Sequence, residues 1–190
     1  MRIIASSALL FSLAVAALAQ PPLPRKSPEF TIEQPSGQKT LLSSFKGKVV
    51  VLEFLYTTCI HCQHESEQLT KLYREFGPKG VQMLGVGFND NAPVLVNGFV
   101  QQFGVGYPVG FSNPDAVLAF LGFSLMDRYV VPQVVVIDRK GMIRAQSGPQ
   151  GDPNLQDEGY MRNLLTKVLS EPAATSVQKP AVKTTASNHQ

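Results

Sequence analysis

The chain has 190 residues, of which 44% are hydrophobic and 16% are charged, and its formal net charge is +3. This length is sufficient for one domain with a sizeable core and too short for two comfortable ones. Because the basic residues form no block along the chain, the composition argues against a nucleic-acid-binding protein.

The first 19 residues have the layout of a secretory signal peptide. Arg2 supplies the positive end, an apolar run extends to Ala16, and Ala17-Leu18-Ala19 forms an A-x-A cleavage site before Gln20. An uncleaved anchor is the alternative, but the apolar run is shorter than the ~20 residues that a membrane span needs. We therefore expect an exported protein with signal peptide 1–19, located in the periplasm or another extracytoplasmic compartment.

The first half of the mature chain predicts a hairpin, a buried strand and a long helix. Segment 20–28 holds four prolines and is predicted to be an extended linker. Residues 30–33 and 39–42 are predicted to pair as a β-hairpin. The nearly continuous apolar run 48–56 predicts a central strand buried on both faces of a sheet. A helix is predicted over 60–76, because apolar side chains recur on one face at helical spacing.

The second half alternates further strands and helices. Strand–helix–strand followed by a hairpin and a final helix predicts a mixed central sheet with helices on both faces, an α/β domain spanning 29–170. Residues 171–190 are rich in Ala, Thr, Ser, Lys and Pro and are predicted to be a disordered tail. The predicted strands are 81–88, 107–111, 134–138 and 142–146, and the predicted helices are 91–103, 114–121 and 157–169.

The only two cysteines form the motif Cys59-Ile60-His61-Cys62 at the predicted strand–helix junction. Residues at i and i+3 are neighbours on a helix, so the two sulfurs can reach bonding distance. The N–H groups of the helix start stabilise negative charge, so we expect Cys59 to be the nucleophilic thiolate. Cys62 is expected to be the resolving thiol, and no cofactor is expected beyond the redox-active disulfide of the pair.

Two histidines accompany the cysteines. A protonated His61 favours the Cys59 thiolate and hence the reduced state, which makes the disulfide more oxidising, although an exposed histidine without effect is the alternative. His64 is expected to be a solvated surface residue. Cys59, His61, Cys62 and His64 could also bind a metal ion, but four ligands this close in sequence rarely surround one tetrahedral ion. No metal site is therefore predicted.

Two further positions are candidates for the same site. Glu53 lies six residues before Cys59 inside the apolar run, and a buried carboxyl with a raised pKa could relay a proton for Cys62. The alternative for Glu53 is an ion pair with a lysine at the rim of the core, either Lys46 or Lys48.

The dipeptide Val131-Pro132 precedes the predicted strand 134–138. An ordinary strand start is the default interpretation of a proline at this position. The alternative is a cis peptide bond, which would place the Val131 backbone against the disulfide, where it could pair with an extended substrate.

These features together resemble the thioredoxin superfamily, and more closely its exported TlpA/ResA-like group of thiol–disulfide oxidoreductases, over residues 28–169. The resemblance implies a thioredoxin-like three-layer sandwich with an N-terminal β-hairpin extension and a central insertion before Pro132. It also implies that CIHC is the active site, that Glu53 matches the family's buried acid and that Pro132 matches its cis-proline. Thr58 stands where many relatives have Trp, and His61 where many have Pro, so substrate choice and redox direction stay open.

The implied function is disulfide exchange with exported proteins that carry thiols or disulfides, with apocytochrome c as one candidate, together with a membrane redox partner. A monomer is expected. A peroxiredoxin-like peroxidase is one alternative, but its P-x-x-x-T-x-x-C pattern fails at Leu52 and Tyr56. A copper-handling protein is another, but such relatives use a wider cysteine spacing and a distant His, and the only distant one here is His189 in the predicted tail.

Overall fold

The computed structural model describes residues 21–173, so the predicted signal peptide 1–19 and residues 174–190 of the predicted tail lie outside it. No helix of the described range is long and apolar enough to cross a membrane. The strands are β1 (Arg25–Lys26), β2 (Thr31–Glu33), β3 (Lys39–Leu41), β4 (Val49–Leu55), β5 (Val81–Gly87), β6 (Val109–Phe111), β7 (Gln133–Ile137) and β8 (Met142–Gln146). The helices are α1 (Ile60–Phe76), α2 (Ala92–Phe103), α3 (Pro114–Leu121) and α4 (Glu158–Ser170).

All eight strands join one mixed sheet in the order β1-β8-β7-β4-β5-β6-β2-β3. Strand β4 lies at its centre, parallel to β5 and antiparallel to β7. The β2–β3 hairpin extends the sheet beyond β6, and the short strands β1 and β3 form its two edges. This arrangement confirms the predicted α/β thioredoxin-like fold with its N-terminal hairpin, and α2, β6 and α3 occupy the segment before Pro132 in which the central insertion was expected.

Helices cover both faces of the sheet, and the alternation of side chains along β4 decides what meets each face. Val49, Val51 and Leu55 pack into a cluster with side chains of α1, α2 and α4. The intervening residues pack into a second cluster with α3 and the N-terminal segment. Because successive side chains of a strand point to opposite faces, Glu53 points towards the α1 side of the sheet.

The segment 20–28, predicted as a linker, is in part docked on the domain, which corrects that prediction. Arg25 and Lys26 form strand β1 and pair antiparallel with Ile143 and Met142 of β8. The Arg25 guanidinium also donates to the Phe120 carbonyl at 3.0 Å. A proline-rich segment is already extended, so its few free backbone groups can pair with an edge strand without any alternating sequence pattern.

The start of the predicted tail is also attached to the domain. The Glu171 carboxylate forms an ion pair with Arg144 of β8, and its carbonyl accepts a hydrogen bond from Arg139. Helix α4 begins one residue later than predicted, after Asp157, whose side chain accepts from the Tyr160 N–H at 2.7 Å. The folded domain therefore extends slightly beyond residue 170 at its carboxyl end.

Candidate active site

The two cysteines lie at the junction between β4 and α1, as the sequence predicts. Cys59 is the N-cap residue of α1, with φ −87° and ψ 121°, and its carbonyl accepts from the Gln63 N–H at 3.1 Å. Its own N–H donates to the Tyr56 carbonyl at 3.0 Å, which closes the turn after the strand. Cys59 is partly exposed and Cys62 is fully buried, both as free thiols. Only Cys59 can therefore meet a macromolecular substrate directly.

A hydrogen-bonded pair of side chains holds this turn in place. Asn89, just after β5, accepts from the Thr57 N–H at 2.9 Å through its side-chain oxygen. Its amide nitrogen donates to the Thr57 hydroxyl at 3.1 Å. Because β4 and β5 are adjacent parallel strands, their carboxyl ends meet at one edge of the sheet, and this pair joins them directly below Cys59.

The buried position of Cys62 determines its protonation. Burial raises the pKa of the Cys62 thiol far above its usual value. A hydrogen bond with the Tyr56 backbone lowers this pKa in part, whereas the Cys59 thiol and the Glu53 carboxyl raise it further. A buried thiol without a base stays protonated, and the protonated form is a poor nucleophile. Cys62 therefore needs a proton acceptor at the moment it reacts.

Glu53 is completely buried beneath the start of α1. Its Oε2 accepts hydrogen bonds from the Tyr107 hydroxyl at 2.6 Å and the Ser66 hydroxyl at 2.8 Å, while Oε1 has no partner among the described residues. Burial raises the pKa of Glu53 to about 7 even though the two hydrogen bonds oppose the shift. The carboxyl can thus gain or lose a proton near neutral pH.

The alternative interpretation of Glu53, an ion pair with Lys46 or Lys48, is not what the structure shows. Between residues 21 and 173 no lysine or arginine nitrogen lies within 4.0 Å of the Glu53 carboxyl. Both lysines precede β4 and are exposed, whereas Glu53 lies in the middle of the strand. The hydroxyl groups of Ser66 and Tyr107 replace a counter-ion as the partners of this carboxyl.

A second buried acid, Glu65, was missed in the sequence. It lies one helical turn after Cys62 on the inner face of α1 and is only 3% exposed. Burial raises the pKa of Glu65 to about 8, and the charge of Glu53 adds to the rise. The sequence does mark Glu65, because this glutamate interrupts the apolar face of α1 just as Glu53 interrupts the apolar run of β4.

Tyr107 was also missed, for a different reason. Its hydroxyl reaches Glu53 from 54 residues further along the chain, just before β6. Burial and the neighbouring Glu53 raise the pKa of Tyr107 well above its usual value, so it remains a hydrogen-bond donor. No local sequence pattern marks such a contact, since it depends on β5 and β6 being adjacent.

The Val131–Pro132 segment lies beside the reactive sulfur. Its peptide bond is cis, and the Val131 carbonyl oxygen lies 3.8 Å from the Cys59 Sγ. Val130 fixes this segment, because its N–H donates to the Pro149 carbonyl at 2.9 Å and its carbonyl accepts from the Gln133 side chain at 2.7 Å. The structure therefore brings Cys59 and the Val131 backbone together.

The two histidines lie on the exposed side of the first turns of α1. His61 has an open position between the cysteines, and the His64 ring pairs with the Gln68 side chain at 3.0 Å. In the part of the chain that the structure describes, no group of three or more His, Cys, Asp or Glu side chains could hold a metal ion. Both imidazole rings are accessible to solvent.

A pair of tyrosines joins the two segments that meet at the site. The hydroxyl groups of Tyr56, three residues before Cys59, and Tyr129, two residues before Val131, lie 3.0 Å apart. The ring of Phe88 packs edge-on against Tyr56 at 4.7 Å and also contacts Tyr129. This contact holds the segment of Val131 against the end of β4.

Replacing Tyr129 by phenylalanine should lower the free energy of unfolding by about 1 kcal/mol, because a partly buried hydrogen bond is lost while the ring packing remains. Tyr56→Phe removes the same bond from the other side and is the matched variant. If loss of the Tyr56–Tyr129 hydrogen bond causes both effects, the double variant should lose hardly more unfolding free energy than either single variant. Urea unfolding measures all three, and fully additive losses would show that the hydroxyl groups act separately.

Comparisons with known proteins agree with this geometry. A family model described as Redoxin matches residues 24–165. The thiol–disulfide oxidoreductase ResA of Bacillus thuringiensis (strain Al Hakam) is 28% identical over 141 residues, which cover 74% of this chain and 77% of that protein. ResA of Bacillus subtilis (strain 168) is 28% identical over 140 residues, covering 73% of each chain.

Solved structures share the fold. A putative protein disulfide isomerase from Bacteroides thetaiotaomicron has a TM-score of 0.62 and 26% identity, covering 79% of this chain and 91% of that one. The thioredoxin domain of a thiol–disulfide oxidoreductase from Bacteroides vulgatus has a TM-score of 0.62 and 21% identity, covering 80% of this chain and 99% of that one.

Proposed function

The chain belongs to the Redoxin family of thioredoxin-like proteins, and on that premise we propose that it is an exported enzyme that exchanges disulfides with proteins through Cys59 and Cys62. Its class, thiol–disulfide oxidoreductase, follows from the family and the named relatives. The observation that carries the assignment of residues is the arrangement of one partly exposed and one buried thiol at the start of α1.

The exchange begins at Cys59. Its thiolate attacks one sulfur of a substrate disulfide, a Cys59–substrate mixed disulfide forms, and the other substrate sulfur leaves as a thiolate. Cys62 then attacks the Cys59 sulfur, the Cys59–Cys62 disulfide forms, and the second substrate thiolate is released. The reverse sequence oxidises a substrate dithiol with the same atoms.

The second step requires that Cys62 lose its proton inside the core. Glu53 contributes to the raised pKa of this thiol by its charge, and its own pKa of about 7 suits a group that accepts a proton and returns it. Tyr107 and Ser66 hold the carboxyl at Oε2, which leaves Oε1 to carry the proton. Glu65 is a second buried acid near this carboxyl, since the charge of Glu53 adds to the effect of burial in raising the pKa of Glu65.

Substrates are proposed to lie along Val131 and Pro132. An extended polypeptide can hydrogen-bond to the Val131 backbone, which would bring a substrate sulfur next to Cys59. The signal-peptide pattern at 1–19 supports an extracytoplasmic location and hence exported substrates. Apocytochrome c is a candidate, since its paired haem-attachment cysteines can form a disulfide that such an enzyme would reduce. A membrane redox partner would then restore the starting redox state.

The reduction potential of the Cys59–Cys62 pair is proposed to lie above that of thioredoxin because of His61, which still allows the pair to reduce a more oxidising substrate disulfide. An imidazolium between the cysteines would stabilise a thiolate at Cys59 and thus the reduced pair. A reduction potential well above about −270 mV and towards about −120 mV is expected. Equilibration of the Cys59–Cys62 pair with glutathione measures it, and a value at or below that of thioredoxin would contradict the role of His61.

Two assays run on the same preparation test the proposed activity. Reduction of insulin in the presence of dithiothreitol, or oxidation of a reduced substrate protein, should proceed far faster with the enzyme than without it. Consumption of hydrogen peroxide should stay near the background rate. Rapid peroxide turnover without disulfide exchange would replace this function by that of a thiol peroxidase.

A further inference from the structure

A cleft of about 670 Å³ lies at the end of the sheet remote from the cysteines. Its floor is apolar and includes Leu42, Val50 and Ile137. It opens between the segment that leads into β4 and the turn that follows β7. Since β4 runs from this end towards Cys59, its seven residues place the cleft about 20 Å from the redox centre.

The rim of the cleft is cationic. Five basic side chains line it against two acidic ones, namely Lys26, Lys46, Lys48, Arg139 and Lys140 against Glu29 and Asp138. The four lysines are all exposed, and none of them has a carboxylate within 4.0 Å among residues 21–173. An excess of positive charge therefore surrounds an apolar floor.

The two acids offset only part of this positive charge, and their hydrogen bonds direct both carboxylates towards the backbone and Arg144. Glu29 accepts from the backbone N–H groups of Phe30 and Ser43, each at 3.0 Å. Asp138 accepts from the N–H of Lys140 at 2.8 Å and from the Arg144 guanidinium at 3.2 Å. Their negative charges stabilise the local backbone, and the lysine ammonium groups stay available to a ligand.

We propose that this cleft docks on the anionic phospholipids of a membrane, with lipid phosphates against Lys26, Lys46, Lys48 and Lys140 and the glycerol and upper acyl carbons over the apolar floor. Charge complementarity together with the apolar floor favours a lipid surface over a soluble anion, which would leave the floor uncovered. Docking in this way points Cys59 away from the bilayer, towards soluble substrate proteins. The inference goes beyond the proposed disulfide exchange and stands independently of it.

The test is sedimentation of the full mature chain with vesicles of phosphatidylcholine, either pure or containing phosphatidylglycerol. The protein should sediment only with the anionic vesicles. A lysine near an anionic surface contributes about fivefold to binding, so Lys48→Gln with Lys140→Gln should weaken binding about 25-fold. Lys39→Gln with Lys71→Gln removes the same charge outside the cleft and should have a far smaller effect.

Three outcomes would overturn the proposal. Equal sedimentation with neutral and anionic vesicles would show that charge does not direct binding. Equal losses in the cleft and control pairs would show that only net charge matters. Displacement from vesicles by millimolar inorganic phosphate, with loss of that effect in Lys48→Gln, would show a pocket for soluble phosphate instead. Insulin reduction in lipid-free buffer should be unchanged in the cleft variants, which separates this site from the redox centre.

Discussion

Replacing Cys59 by serine should abolish disulfide exchange, with a fall in rate of at least about 10³-fold. A serine hydroxyl is not ionised near neutral pH and cannot form the mixed disulfide, so neither step of the exchange remains. Because Cys59 is partly exposed at the N-cap of α1 and makes no side-chain cap hydrogen bond, the fold should be retained. Insulin reduction measures the rate, and circular dichroism checks the fold.

The matched variant, Cys62→Ser, should fail at a different step. Cys59 can still attack a substrate disulfide, but no buried thiol remains to release the substrate. A mixed disulfide should therefore accumulate as a band of higher mass on a non-reducing gel, which Cys59→Ser should not show. Accumulation in Cys59→Ser and not in Cys62→Ser would reverse the two roles, and normal turnover of both would remove the pair from the mechanism.

Replacing Glu53 by glutamine should stabilise the protein at neutral and alkaline pH. The pKa of Glu53 rises from 4.5 to about 7 on folding because the carboxyl is buried. Below pH 4.5 both states hold the proton and no penalty exists. As pH rises from about 4.5 to about 7 the unfolded state loses its proton while the native state keeps it, so the native state loses about 3 kcal/mol of stability, and above about pH 7 this loss is complete. Glutamine has no proton to lose, so the variant escapes this loss.

Urea unfolding at about pH 4 and about pH 8 measures the effect. The free energy of unfolding of the variant should exceed that of the wild type by most of the ~3 kcal/mol, and only at the higher pH. Altered hydrogen bonds to Ser66 and Tyr107 reduce this gain. Glu67→Gln is the control, because Glu67 is exposed on the same helix and its replacement should show no such pH dependence. A gain that is equal at both pH values would show that folding does not raise the pKa of Glu53.

Glu53→Gln should also slow disulfide exchange, since the variant cannot accept the Cys62 proton. The slowing should be greatest for the step that releases the mixed disulfide and should diminish at high pH, where hydroxide can replace the carboxylate. A purely structural role would change the unfolding free energy and leave this pH profile as it is. Rapid-quench measurement of the mixed disulfide across pH values distinguishes the two.

The sequence predicts most of this fold because its elements are locally consistent. Helix α1 starts and ends at the predicted residues, since the apolar stripe begins after the cysteine junction and Gly77-Pro78 stops it. The continuous apolar runs of β4 and β5 identify central strands for the same reason. Strand β1 could not be predicted, because two residues carry no periodicity and their pairing with β8 depends on the tertiary fold.

Some residues of the site can also be identified from the sequence, whereas others cannot. Glu53 was identifiable because its acid interrupts an apolar strand, and Glu65 would have been identifiable by the same test applied to α1. The contacts that set the chemistry of Glu53 come from Ser66 and Tyr107, which no local pattern joins to it. Their partnership exists only after β4, α1 and the segment before β6 have packed together.

The two edge strands of the sheet affect how this protein interacts with other polypeptide chains. An enzyme that handles unfolded chains risks becoming a template for their aggregation wherever a long strand edge is open. Here the edges are β1, with two residues, and β3, with three, and each carries an exposed lysine. Short, charged edges discourage the stacking of foreign strands. Under the proposed function, backbone pairing with a substrate would be directed to Val131, where completion of disulfide exchange would release the substrate.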